Sequence, residues 1–235
     1  MLFHPLLHAE PAVFASLGAW LGLAALGAFH GLNPAMGWLF AVALGLQRGS
    51  TWAVTRALVF VSIGHAASVG VVAASLLAVG TFVPLIWVRV FSASVLLAFG
   101  LYKLFRYYRH PRWVGMQVSG RDLIVWSFMM ASAHGAGLML VPILLEARTV
   151  AASAHPLADL APHTGYLDLA DTSVAWGAGL AVHTTAMLLV MLPVALVVYK
   201  KVGLAFLRRG WINVDLLWAV ALIAAGIVTA LLILA

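Results

Sequence analysis

Apolar residues fill this chain in long blocks, and polar or charged residues interrupt them at nearly regular intervals. Six apolar runs stand out, near 13–46, 57–79, 84–102, 123–145, 173–199 and 211–234. A hydrocarbon core of ~30 Å is crossed by about 20 helical residues, so each run is long enough for one span. The pattern predicts an all-α polytopic membrane protein with six transmembrane helices. The first run is too long for one straight crossing, because its length as an unbroken helix would be ~51 Å. Within it, Pro34 lacks an amide donor and Asn33 before it is pushed away from helical geometry, so the helix is expected to break in the segment "HGLNP". Backbone freed at that depth is tolerated only where it is buried in protein or lines a cavity.

Charge orients the runs. Arg48 and Arg56 follow the first; Lys103, Arg106, Arg109, Arg112 and Arg121 follow the third; Lys200, Lys201, Arg208 and Arg209 follow the fifth. The positive-inside rule makes those three loops cytoplasmic. The alternate connections, a short "GTF" turn and the acidic stretch from Glu146 to Asp171, then face outward with both termini. Arg89, near the outer end of the third span, reads as a snorkelling side chain. The start "MLFHPLLHAEP" lacks the positive region of a secretory signal, so the first run is expected to be retained.

Composition narrows the function. The chain is 64% hydrophobic and 9% charged, and its 13 Lys+Arg are scattered through loops instead of forming the long basic patch that nucleic acid requires. It has no cysteine, which removes thiolate metal sites, thiol redox chemistry and disulfides.

Two segments resemble each other: "GAFHGLNPAMGW" (27–38) and "ASAHGAGLMLVP" (131–142) both carry His-Gly after small or apolar residues. On the next span of each half follow "SIGHAASVG" around His65 and "LAVHTTAML" around His183. Three spans per half is odd, so the second half enters inverted relative to the first: a 3+3 inverted repeat. The expected organisation is an outer N-terminal segment (1–12), a first three-helix repeat (13–110), a cytoplasmic linker (111–122) and a second repeat (123–235) with an outer loop at 146–172. From the span starts, His65 lies ~12 Å deep, His183 ~14 Å and His134 ~16 Å, near the middle of the bilayer; His30 is central in its own run.

Ionisable residues at that depth are expensive and usually functional. Neutral imidazole suits nickel, cobalt, zinc, copper or iron(II). The expected site is therefore a divalent transition-metal site made by His30, His65, His134 and His183, aided by the carbonyl oxygen of Asn33. Ser62 and Ser68 beside His65, Met130 beside His134 and Met187 beside His183 are the expected supporting residues. The bland alternative is interhelical hydrogen bonding by each histidine separately. His4, His8, His155 and His163 lie in outer segments, as collectors of metal or simple solvated side chains.

The pairing of "HGLNPAMG" with "SIGHAASVG" resembles the nickel/cobalt transporter family, whose early spans carry an H-x4-D-H motif and then a "GH" followed by small or hydroxyl residues. That family belongs to a superfamily of small six-span carriers that includes lysine exporters. The resemblance covers residues 27–72 as motif and implies a membrane transporter with His30 as the first motif histidine and His65 as the "GH" histidine. The second motif histidine is absent, as is any intramembrane carboxylate, so the ion would be held by neutral dipoles. Entry into a negative interior supplies ~4.6 kcal/mol per 100 mV for a divalent ion, which favours uptake. Other readings are an amino-acid or small-anion carrier on the same fold, with broken-helix N-termini holding the charge, and a bis-histidine haem cytochrome. An enzyme is not expected: the chain has no H-E-x-x-H and no clustered histidine pairs of the di-iron type. The expected partners are the lipid bilayer and the metal ion, with no nucleic acid.

Overall fold

The structure, a computed structural model, describes residues 9–105, 119–153, 169–202 and 214–234. Among these every regular element is helical: α1 Ala9–Leu32, α2 Trp38–Arg48, α3 Thr51–Gly80, α4 Leu85–Phe105, α5 Gly120–His134, α6 Ala136–Ser153, α7 Leu169–Val197 and α8 Val214–Leu234. A 3₁₀ turn, Pro34–Met36, joins α1 to α2, and a π-helical turn, Val198–Val202, extends α7. Helix α3, helix α4 and the stretch Ser173–Lys201 are each long and apolar enough to cross a membrane, and α5 with α6 makes a fourth crossing if the bent pair is counted as one. The chain is thus built as a helical membrane protein. All six predicted runs are helical, yet three or four meet the length criterion, because Leu17–Leu32 and Trp218–Leu234 are shorter apolar helices among the described residues.

Several element ends differ from the expectation. Helix α3 starts six residues early, so Arg48 and Arg56 lie on helices joined through Gly49 and Ser50 instead of in a loop. Lys103 closes α4 as a buried side chain, its ammonium 5.5 Å from the Phe99 ring centroid. Helices α6 and α7 extend into the predicted outer loop from both sides. His4, His8, His155, His163, Arg106, Arg109, Arg112, Arg208 and Arg209 lie outside the described residues, as does most of the 111–122 linker. Arg89 donates from Nη1 to the Leu232 carbonyl at 3.4 Å, a cation at the C-terminal end of α8 where the helix dipole favours it.

The predicted break is present. Asn33 is extended (φ −70°, ψ 118°), its Oδ1 accepts from the Ala35 amide at 2.9 Å, and Pro34 opens the 3₁₀ turn. Gly37 then takes φ 106°, open to glycine and strained for other residues, and starts α2. A second break was not expected. Gly135, at φ 69°, ends α5, and α6 departs at 62°. In both places a tryptophan meets the carbonyl of the last helical residue: the indole of Trp38, which opens α2 across the break, donates to Leu32 (3.3 Å), and that of Trp218, from α8, donates to His134. Such caps satisfy carbonyls that would otherwise be orphaned in apolar surroundings. Pro142 and Pro193, by contrast, sit inside α6 and α7.

Packing follows a reciprocal plan. Helix α1 lies along α7, α3 along α5, and α4 along α8. Glycines allow backbones to touch: a β-carbon on Gly27 or Gly31 would collide with the His183 or Met187 carbonyl, and one on Gly64 with the Ile124 carbonyl. Close approach at small residues replaces the hydrophobic drive that lipid cannot supply. Two buried apolar clusters result. One includes Met36, Val61, Met187 and Trp218; the other includes Leu23, Val69, Leu140 and Trp176. Along α3 and α7 the histidine lies between a residue of one cluster and a residue of the other: His65 between Val61 and Val69, His183 between Trp176 and Met187.

Candidate metal centre

His30 is in the last turn of α1, three residues before the break at Asn33; His65 is near the middle of α3; His183 is near the middle of α7. The close α1–α7 contact at Gly27 brings the first and third together, and α3 packs against α7 from its other neighbour. The three rings meet. Their centroids are 4.8 Å (His30–His183), 5.2 Å (His30–His65) and 5.6 Å (His65–His183) apart, and one nitrogen from each lies within 4.8 Å of the others. All three side chains are buried.

Hydrogen bonds fix which nitrogens face the centre. His30 Nδ1 donates to the Leu26 carbonyl at 2.7 Å, and His183 Nδ1 donates to the Leu23 carbonyl at 3.3 Å, the only acceptor each has there being a carbonyl that requires N–H on the ring. In the neutral tautomer that leaves both Nε2 atoms with lone pairs. His30 Nε2 is buried without a hydrogen-bond partner. His183 Nε2 stands 3.4 Å from His65 Nε2. A metal ~2.05 Å from two nitrogens at a tetrahedral angle separates them by about 3.3 Å, so the His65–His183 pair already has the spacing of a chelate. A ring whose other nitrogen is held by a backbone carbonyl is also the usual state of a histidine ligand.

The other predicted residues divide. His134 is buried but is not one of the converging three; its Nδ1 donates to the Met130 carbonyl at 2.6 Å, and its ring meets the Trp218 indole edge-on at 5.5 Å. The same indole lies 4.7 Å from the His30 ring, so Trp218 touches both repeat-related histidines. The Asn33 carbonyl oxygen, expected as a ligand, serves as the cap of the 3₁₀ turn, while its buried Nδ2 has no partner. Ser62 Oγ is buried and unpartnered; Ser68 Oγ instead joins Ser132 Oγ at 2.8 Å, which passes its own proton to the Phe128 carbonyl at 2.9 Å. Met130 contributes its carbonyl, and Met187 is a fully buried core side chain.

Sequence reasoning missed the carbonyls of Leu23 and Leu26 and the Trp218 indole. The His30–Leu26 and His134–Met130 bonds both span four residues, about one helical turn, and each accepting residue lies just before its repeated segment. Trp218 is the largest fully buried side chain of the described residues, and its place in an apolar run gave no sign of its partner. Compared with protein-family models, curated proteins and solved structures, the chain matches none.

Proposed function

We propose that this chain is a six-span membrane carrier for a divalent transition-metal cation of the nickel, cobalt and zinc class, bound near the midplane between two inverted three-helix halves. One observation carries the reading: three buried imidazoles from three helices converge, with two Nδ1 atoms tied to backbone carbonyls, the Nε2 atoms of His65 and His183 3.4 Å apart, and His30 Nε2 without a partner. Separate structural histidines would each use both nitrogens in local bonds; His30 leaves one unused.

The reciprocal packing supports the inverted halves. The first span of each half lies along the second span of the other, the two third spans lie together, and each first span is broken next to its histidine. The motif resemblance to nickel/cobalt transporters points to the same cargo class. In this reading His65 and His183 are the fixed pair. His30, beside the break, is the ligand that closes or opens the site, and Trp218 and the two apolar clusters exclude water around it. Neutral ligands leave the ion's charge uncompensated, which limits affinity and favours release. A haem between these rings receives less support, because the third imidazole occupies the space a macrocycle would need. A purified protein with a Soret band would favour haem.

The test is nickel, cobalt and zinc flux into proteoliposomes carrying the native chain, His65→Ala or His183→Ala. Flux is expected to fall in both variants. Unchanged flux in both would remove these residues from transport and favour an amino-acid or small-anion cargo.

A further inference from the structure

A cavity of about 460 Å³ opens where the C-terminal end of α2, the N-terminal part of α3 and the N-terminus of α5 meet. Arg48, Arg56 and Arg121 line it, one from each helix, and no acidic residue does among the described residues. None of the three makes an ion pair with a described residue. Arg56 is held against the wall with its guanidinium carbon 5.5 Å from the Phe60 ring centroid, a cation–π contact that leaves its N–H groups free to bind. The one nearby carboxylate, Asp122, does not line the cavity: it is turned back onto Ser119, accepting from its amide at 2.8 Å and its hydroxyl at 2.6 Å. Ser119 and Gly120, where α5 begins, complete the polar side; a capping box between Ser119 and Asp122 closes this helix end.

Three guanidinium groups, with Asp122 the one carboxylate near any of them among the described residues, repel a divalent cation, so this opening is unsuited to the metal. They suit a phosphate, which guanidinium binds bidentately. The rest of the wall is apolar, with Leu44, Phe60 (against which Arg56 lies), Leu123 and Ile124, so the lining combines guanidinium groups with an oily surface. A free phosphate has no use for that wall, whereas a glycerophospholipid fits both. We propose that the cavity binds the phosphate headgroup of an anionic phospholipid, with its glycerol and first acyl carbons against the apolar wall. Basic pockets between helices on the cytoplasmic side are placed to meet such lipids.

The full chain in nanodiscs of phosphatidylcholine with graded phosphatidylglycerol, followed by native mass spectrometry, tests the assignment. Saturable binding of phosphatidylglycerol is expected. Arg48→Gln, Arg56→Gln and Arg121→Gln should each weaken it about fivefold and together on the order of a hundredfold, while Arg89→Gln at the opposite end should not change it. Equal retention of phosphatidylglycerol by the triple variant, shown by its elution and helicity to be folded, would overturn the proposal. Displacement of the lipid by inorganic phosphate at similar concentration would also overturn it, assigning the pocket to a soluble anion.

Discussion

Four histidines were expected to meet near one depth, but they do not all converge. His30, His65 and His183 present nitrogens to one point, and His134 turns its ring to Trp218. Single substitutions should therefore separate them. His65→Ala or His183→Ala is expected to weaken zinc or nickel binding by at least about a hundredfold, the upper range for loss of a partner one shell further out. His134→Ala should weaken it by less than about tenfold, the lower end of that range. Titration calorimetry on the purified chain measures the difference, and equal losses at all four positions would place His134 among the ligands. That these four histidines would be buried was legible in the sequence, since an ionisable group in an apolar run is conspicuous. The orientation of each ring was not, because it depends on which backbone carbonyl lies beside it: Leu23 meets His183 only after α1 and α7 have packed. Asn33 shows the same limit, for its side chain was claimed by the amide two residues along.

At the level of elements, each helix among the described residues overlaps an apolar run, and proline marked one of the two breaks seen there. The second was hidden because glycine carries two meanings. Gly31 follows His30 inside a helix and serves close packing; Gly135 follows His134 with φ 69° and ends one. The same dipeptide therefore has two outcomes: after Gly31 the helix runs on to Leu32 and breaks at Asn33 and Pro34, whereas Gly135 is itself the cap. The indole caps at the breaks make a prediction at this scale. Trp218→Phe keeps the ring but leaves the His134 carbonyl buried without its donor, which should cost about 1–3 kcal/mol. Trp38→Phe, which loses a longer bond of 3.3 Å, should lie at the low end of that range. Thermal unfolding in one detergent gives both values, and an unaltered midpoint for Trp218→Phe would show that the carbonyl finds another donor.

For the molecule as a whole, the charge pattern assigns Arg48, Arg56 and Arg121 to the cytoplasmic side and the turn at Thr81 and Phe82 to the outside. The absence of cysteine makes this easy to examine. A thiol at Phe82→Cys, a position 83% exposed, should react with a membrane-impermeant maleimide in intact cells, and one at Gln47→Cys only after permeabilisation. The opposite pattern would invert the chain and with it the lipid leaflet facing the arginine cavity.

Glycine contacts knit the first helix to the seventh and the third to the fifth, and each of these clasps joins partners far apart in the chain. The closest helix contacts therefore cross between its two sequence halves. In the proposed carrier, any rocking that exposes an ion to one side and then the other has to slide one clasp against the other. Severing the polypeptide between them would yield two fragments, neither holding a complete mover, that regain a working carrier only by finding each other in the bilayer.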